Sequence, residues 1–149
     1  MVPSGPCPLL FLTLILLIAG LAQIIRSPDS YQKFVSEHID FPKTRPPNGQ
    51  SYCDHIMWHL SQNMGVCKLT HTFIHAPVSW LWAICTSGGG RCNQYNECDS
   101  ITAYPLTMCW VLSPPLPHPP NCIYRGIPQT CRILMACNRG RPVHFIRVM

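Results

Sequence analysis

An apolar run without a charged residue opens the chain, from Pro8 to Ile25, and short stretches with apolar residues at defined spacings follow it. The opening run comes too early to be domain core. Gly20-Leu21-Ala22 supplies the small residues that signal peptidase reads, which places cleavage after Ala22 and makes residues 1–22 a signal peptide and 23–149 one exported domain. No Lys or Arg precedes the run, and its length is near the lower limit for crossing a bilayer, so an uncleaved anchor stays open.

Past the leader the spacing changes. Ser27-Pro28 reads as a helix N-cap with proline at the first helical position, and Tyr31, Phe34, Val35 and His38 recur at helical intervals, with His38 at the end of the stripe. Phe41 to Gln50, with three prolines and Asn48-Gly49, reads as a loop. A short helix is expected over Tyr52 to Leu60 and extended chain over Cys67 to His75. Val78, Leu81, Trp82 and Cys85 stand at i, i+3, i+4 and i+7 and predict a third short helix, with Trp82 in the core, before Gly88-Gly89-Gly90 breaks it. Ala103 to Leu112 reads as a strand, and Ser113 to Pro120, with five prolines, as the end of a hairpin. Arg132 to Cys137 and Pro142 to Val148 are two further strands joined by Asn138-Arg139-Gly140.

A chain of 149 residues holds one domain, and 10 cysteines in that length imply disulfide staples and an oxidising compartment. The net charge of +5 lies wholly beyond the leader, because all 11 Lys and Arg and all 6 Asp and Glu follow Ile25. That field suits phosphate-rich partners or anionic membranes and is also ordinary for solubility.

Three segments carry the candidate chemistry: Lys33-Phe34-Val35-Ser36-Glu37-His38-Ile39-Asp40, Cys67-Lys68-Leu69-Thr70-His71-Thr72-Phe73, and Pro142-Val143-His144-Phe145. In this order, and with this order of cysteines, they resemble the pancreatic-type ribonuclease (RNase A) superfamily from about Tyr31 onward. The middle segment is the family signature Cys-Lys-x-x-Asn-Thr-Phe with His71 in place of Asn. The resemblance implies an α+β fold, a V-shaped antiparallel sheet with three short helices. It also implies disulfides Cys53 to Cys109, Cys67 to Cys122, Cys85 to Cys137 and Cys92 to Cys98, which spacing alone would not select from on the order of a hundred connectivities. Cys7 leaves with the leader, so Cys131 is the odd one out.

RNA carries its own nucleophile, the 2'-hydroxyl. Cleavage then needs a base for that proton, an acid for the departing 5'-oxygen and a cation for charge developing on phosphorus, and it requires no cofactor or metal. Histidine suits both proton tasks near neutral pH. By position in the family motifs, His38 is the expected base, His144 the acid and Lys68 the cation. Thr72 is expected to read the base on the 3'-phosphate side, favouring pyrimidines, and Phe145 to pack against it. His71 is placed with these substrate-binding residues, and Lys33, Arg45 and Arg91 are candidates for outer phosphate contacts. Without the motifs, a histidine on an apolar stripe is usually a core residue and a lysine beside a half-cystine an ordinary exposed one. The i, i+4 pair His55 and His59 lacks a supporting Glu, and His71 and His75 are too far apart on a strand to share an ion.

Three departures from the family pattern bear on activity. His71 replaces an amide that helps hold the site. Glu37, where many members carry Gln, is expected to weaken substrate binding and to favour protonated His38. Ile146 replaces the Asp that orients the acid histidine. Cleavage is therefore expected to be reduced but present. The alternative function is a cationic host-defence or growth-factor-like binding protein on the same scaffold, with Trp58, Trp80, Trp82 and Trp110 available to a membrane interface. The Cys92 and Cys98 pair, typically lacking in angiogenin-type members, favours a digestive or defensive ribonuclease. The expected partners are single-stranded RNA, anionic membrane surfaces and a ribonuclease inhibitor protein. The chain is expected to be secreted and monomeric, with a disulfide-linked dimer through Cys131 or a buried free thiol as the alternatives at that residue.

Overall fold

The computed structural model describes residues 29–112 and 122–149. The leader, Ser27-Pro28 and the proline-dense connection over 113–120 lie outside the described residues. Among the described residues no helix is long and apolar enough to cross a membrane.

Helix α1, Asp29–His38, buries Phe34 in the main core, with Val35 and Ile39 packed against it. The chain leaves the helix at His38 and goes straight to the edge of a strand: Ile39 bridges Ile74 in parallel, and the Asp40 N–H donates to the Ile74 carbonyl at 2.9 Å. Helix α2, Tyr52–Met64, runs past the expected Leu60 because its stop lies further on. Ser51 caps the N-terminus by accepting from the Asp54 N–H, and Gly65, at φ 73°, closes the C-terminus on the Ser61 and Gln62 carbonyls. Helix α3, Val78–Trp82, is five residues long and tightens into a 3-10 turn over Ala83–Cys85.

Among the described residues seven strands form two antiparallel sheets. The first has the order β1 (Thr70–Ile74), β4 (Tyr104–Val111), β5 (Tyr124–Cys131). The second has the order β2 (Gly90–Cys92), β3 (Glu97–Ser100), β6 (Ile133–Asn138), β7 (Arg141–Val148). β5 runs into β6 through Arg132 alone, so the two sheets are continuous along the chain. The β6–β7 hairpin turns through Arg139 and Gly140, both at positive φ (54° and 77°), as a two-residue primed turn requires.

Strand β5 is absent from the sequence pattern because Gly126 and Pro128 read as breakers. Both fit where they stand. β5 is an edge strand of its sheet, where proline is tolerated, and a Cβ at position 126 would collide with the Cys53 sulfur. The β2–β3 hairpin is likewise invisible to periodicity, since its strands are three and four residues long.

The main core gathers Phe34, Ile74, Leu81, Ile84, Leu106, Ile133 and Met135. A second core under α2 holds Met57, Phe73 and Tyr124 around Cys53 and Cys109. Disulfides join Cys53 to Cys109, Cys67 to Cys122, Cys85 to Cys137 and Cys92 to Cys98, the pairs the resemblance implies. Cys131 is disulfide-bonded as well and 4% exposed at the end of β5; no described cysteine is free. Where an unpaired thiol was expected, Cys131 is bonded in the full-length chain.

Trp82 is also corrected. It is 39% exposed, and Trp80 is 60% exposed, while Leu81 between them is fully buried. A five-residue helix that tightens into a 3-10 turn cannot carry an α-helical stripe through to Cys85, so Leu81 and Ile84 take the buried side.

Candidate active site

Strand β1 is an edge strand, and its outer edge organises the site. The His38 ring, at the end of α1, donates from Nδ1 to the Thr72 carbonyl at 2.9 Å. A carbonyl only accepts, so Nδ1 carries the hydrogen, and the neutral ring keeps its lone pair on Nε2. In an extended strand one residue's N–H and C=O point the same way, so Thr72 turns its N–H to the outer edge too, away from Met108 of β4.

Lys68 precedes β1, and its backbone is held on several sides. The Tyr124 hydroxyl donates to the Lys68 carbonyl at 2.6 Å, the Val111 N–H donates to the Leu69 carbonyl at 2.9 Å, and Cys67 is bonded to Cys122. The Lys68 ammonium then donates to His71 Nδ1 at 3.0 Å. His71 is 4% exposed, its Nε2–H donates to the Glu37 carbonyl at 2.6 Å, and its ring stacks on that of His38 with centroids 4.4 Å apart and 10° between planes.

His144 and Phe145 come from β7. Register shifts between Leu134 and Met135 and between Ala136 and Cys137 insert Ile146 and Val143 as extra residues in β7. These bulges let Val143 and Ile146 share a buried cluster with Ala136, while the adjacent His144 and Phe145 are both left half-buried. The Phe145 ring stacks on His38 at 5.1 Å. His144 is close enough for its charge to bear on the protonation of His38. Ile146, 3% exposed in that cluster, offers no acceptor.

Burial is the largest influence on His38 and brings its pKa down to about 3; the Thr72 carbonyl pulls it up, and the charges of Lys68 and His144 push it further down. His71 is held well below the usual histidine value by burial, then by the charges of His38 and Lys68, with the Glu37 carbonyl opposing. Burial also lowers Lys68, Glu37 raises it and Lys33 lowers it. The Glu37 carboxylate bears on Lys68, while at His38 burial outweighs the influences that favour the protonated ring.

His38, Lys68, His71, Thr72 and Phe145 thus form one contiguous group, with His144 within electrostatic reach. Lys33 is exposed on α1 and reaches the site through its charge on Lys68. Arg45 follows α1 in a loop, and Arg91 sits on β2 opposite Asp99; neither is among the charges that set the protonation of the central groups. His75 is drawn elsewhere, to the Asp40 carbonyl and the Thr107 hydroxyl. Among the described residues no group of three or more His, Cys, Asp or Glu could hold a metal ion. The residue undervalued by the sequence is Glu37, whose backbone carbonyl is structural; backbone acceptors leave no signal in a sequence.

The family model of pancreatic ribonuclease matches residues 29–146. A ribonuclease of Chelonia mydas is 38% identical over 119 residues, covering 80% of this chain and 98% of its own. An angiogenin of Saimiri sciureus is 34% identical over 140 residues, covering 93% and 92%. The crystal structure of green turtle egg white ribonuclease superposes with a TM-score of 0.70 at 36% identity, over 80% of this chain and 98% of that one. With that match along the described domain, and with the sheets and disulfides in place, the chain belongs to the pancreatic ribonuclease family.

Proposed function

We propose that this protein is a secreted endoribonuclease that cleaves single-stranded RNA on the 3' side of pyrimidines. The observation that carries the reading is the His38 ring. It is neutral, tied by Nδ1 to the Thr72 carbonyl, with its Nε2 lone pair unprotonated and the Lys68 ammonium one side chain away.

In this reading His38 Nε2 takes the 2'-hydroxyl proton, the oxygen attacks phosphorus, and His144 protonates the departing 5'-oxygen, leaving a 2',3'-cyclic phosphate. Water then opens the cycle with the two histidines exchanging roles. Lys68 offsets charge developing on the phosphoryl oxygens. The Thr72 N–H and hydroxyl meet a base edge, Phe145 packs against a base, and Lys33 adds an outer phosphate contact. Residues 1–22 act as the signal peptide, and the family's curated ribonucleases support an RNA substrate.

The test is cleavage of a pyrimidine-containing single-stranded RNA with chelator present, wild type beside His38→Ala and His144→Ala. Each variant is expected to lose at least about a hundredfold in kcat/KM. Wild-type protein that folds and leaves the RNA intact overturns the reading.

A second reading draws on a different surface. Trp80 and Trp82 are exposed, and the Arg141 guanidinium lies over the rings of Trp82 (5.6 Å) and Tyr31 (4.8 Å). Such a pairing of aromatic and cationic groups suits an anionic membrane interface and a host-defence role with vestigial catalysis. Binding to vesicles containing anionic lipid, lost in a Trp80→Ala and Trp82→Ala double variant, is its measurement.

A further inference from the structure

Lys68 is a flexible side chain with one described hydrogen-bond partner for its ammonium, and that partner is an imidazole. The bonding of that imidazole leaves one arrangement of its hydrogen. The Glu37 carbonyl cannot donate, so Nε2 carries the hydrogen; the Lys68 ammonium has no lone pair, so Nδ1 is bare. A protonated ring would turn an N–H against the ammonium 3.0 Å away, losing the bond and adding a like charge.

We propose that His71 is the positioning residue of this site, a neutral ring in a single tautomer that holds the Lys68 cation by its Nδ1 lone pair. It is therefore reassigned from contact with the RNA to a role exerted through Lys68. By its Nε2–H it also fastens the last turn of α1 at Glu37, and its face supports the ring of His38. One side chain thus joins the segment before β1 to the helix that carries the base. The groups facing it are His38 from α1 and Lys68 from the segment before β1, together with the Phe73 ring at 4.7 Å. Holding the ammonium at a stated atom lowers the cost of placing it against phosphorus, because a free lysine would lose several rotatable bonds there.

The inference rests on the proposed cleavage reaction, and the experiment separates the two. In Asn the side-chain oxygen falls close to where the imidazole Nδ1 stands, and in Gln the terminal amide nitrogen reaches the Nε2 position. H71N keeps the acceptor for Lys68, while H71Q keeps only the donor to Glu37. Expected is a kcat for H71N within about threefold of wild type and a loss of at least about thirtyfold for H71Q, with KM little changed. Nitrogen-15 spectra of the wild type should show His71 protonated at Nε2 and bare at Nδ1, with Lys68 ammonium protons slow to exchange. That protection should persist in H71N and vanish in H71Q. Equal losses in the two variants that follow their melting temperatures, or a ring protonated at Nδ1, overturn the proposal. In a protein that cleaves no RNA the spectra decide alone: protection lost in H71Q supports the tether, and protection unchanged in H71Q refutes it.

Discussion

His38 shows how much of a residue's behaviour its surroundings set. Its stripe position in α1 was legible, as was its motif, but its protonation was not. Three histidines, His38, His71 and His75, have folded pKa values below the ordinary value near 6.5, each with burial as the largest cause. The unfolded chain therefore binds protons that the folded chain refuses, so the stability these groups contribute is complete above about pH 6.5 and declines on acidification, for His38 as the pH falls toward about 3. The expected outcome is a melting temperature that declines on acidification from pH 7 to pH 4, with a shallower decline in His38→Ala; a parallel slope in the two proteins would refute the assignment to His38. Asp40 acts in the same direction at lower pH. Burial pushes its carboxyl up, but hydrogen bonds from Thr44 and Tyr52 outweigh it and hold the group below its usual value.

Among the described elements, the helices were legible and three of the seven strands, β2, β3 and β5, were not. α2 began where Ser51 caps it and ended where Gly65 turns to positive φ, signals that lie in the local sequence. Ser51→Ala is expected to cost about 1 kcal/mol in thermal or denaturant unfolding with no change in RNA cleavage. β5 was hidden because Gly126 and Pro128 make sense only at a sheet edge against Cys53, a neighbour distant in sequence. The same strand positions the site. The Tyr124 hydroxyl donates to the Lys68 carbonyl and meets the Ser61 hydroxyl at 2.9 Å, so Tyr124→Phe removes the partner of both. A loss of about 1–3 kcal/mol in unfolding free energy is expected, together with reduced kcat from a less firmly held Lys68. Full activity in Tyr124→Phe would show that the Cys67–Cys122 bridge holds the lysine without it.

At the scale of the whole molecule the disulfides divide the work. Three close loops of 52 to 56 residues, each constraining the unfolded chain by about 4 kcal/mol in the chain-entropy picture, while Cys92–Cys98 closes one of 6. Removing Cys67–Cys122 by paired Ala substitution is expected to lower both the melting temperature and kcat, because Cys67 adjoins Lys68. Removing Cys92–Cys98 should lower the melting temperature less and leave kcat near wild type, as that bridge lies in the β2–β3 hairpin of the other sheet. Equal effects on cleavage would mean that the two sheets do not separate stability from site geometry.

By itself the sequence determined the elements whose signals are local: α1, α2, the start of α3, β1, β4 and the β6–β7 hairpin, together with the residue types that can do metal-independent proton transfer. It also carried the family pattern from which the disulfide pairs followed. Only the tertiary structure decided what depends on neighbours distant in the chain. It set which His38 nitrogen is bare, since that follows from a carbonyl 34 residues away, and it joined His71 to Lys68 and to Glu37. It left Trp82 exposed and Cys131 bonded. The physical reason is that periodicity reports which side of an element is apolar, whereas hydrogen-bond partners and protonation are set by what packs against that side.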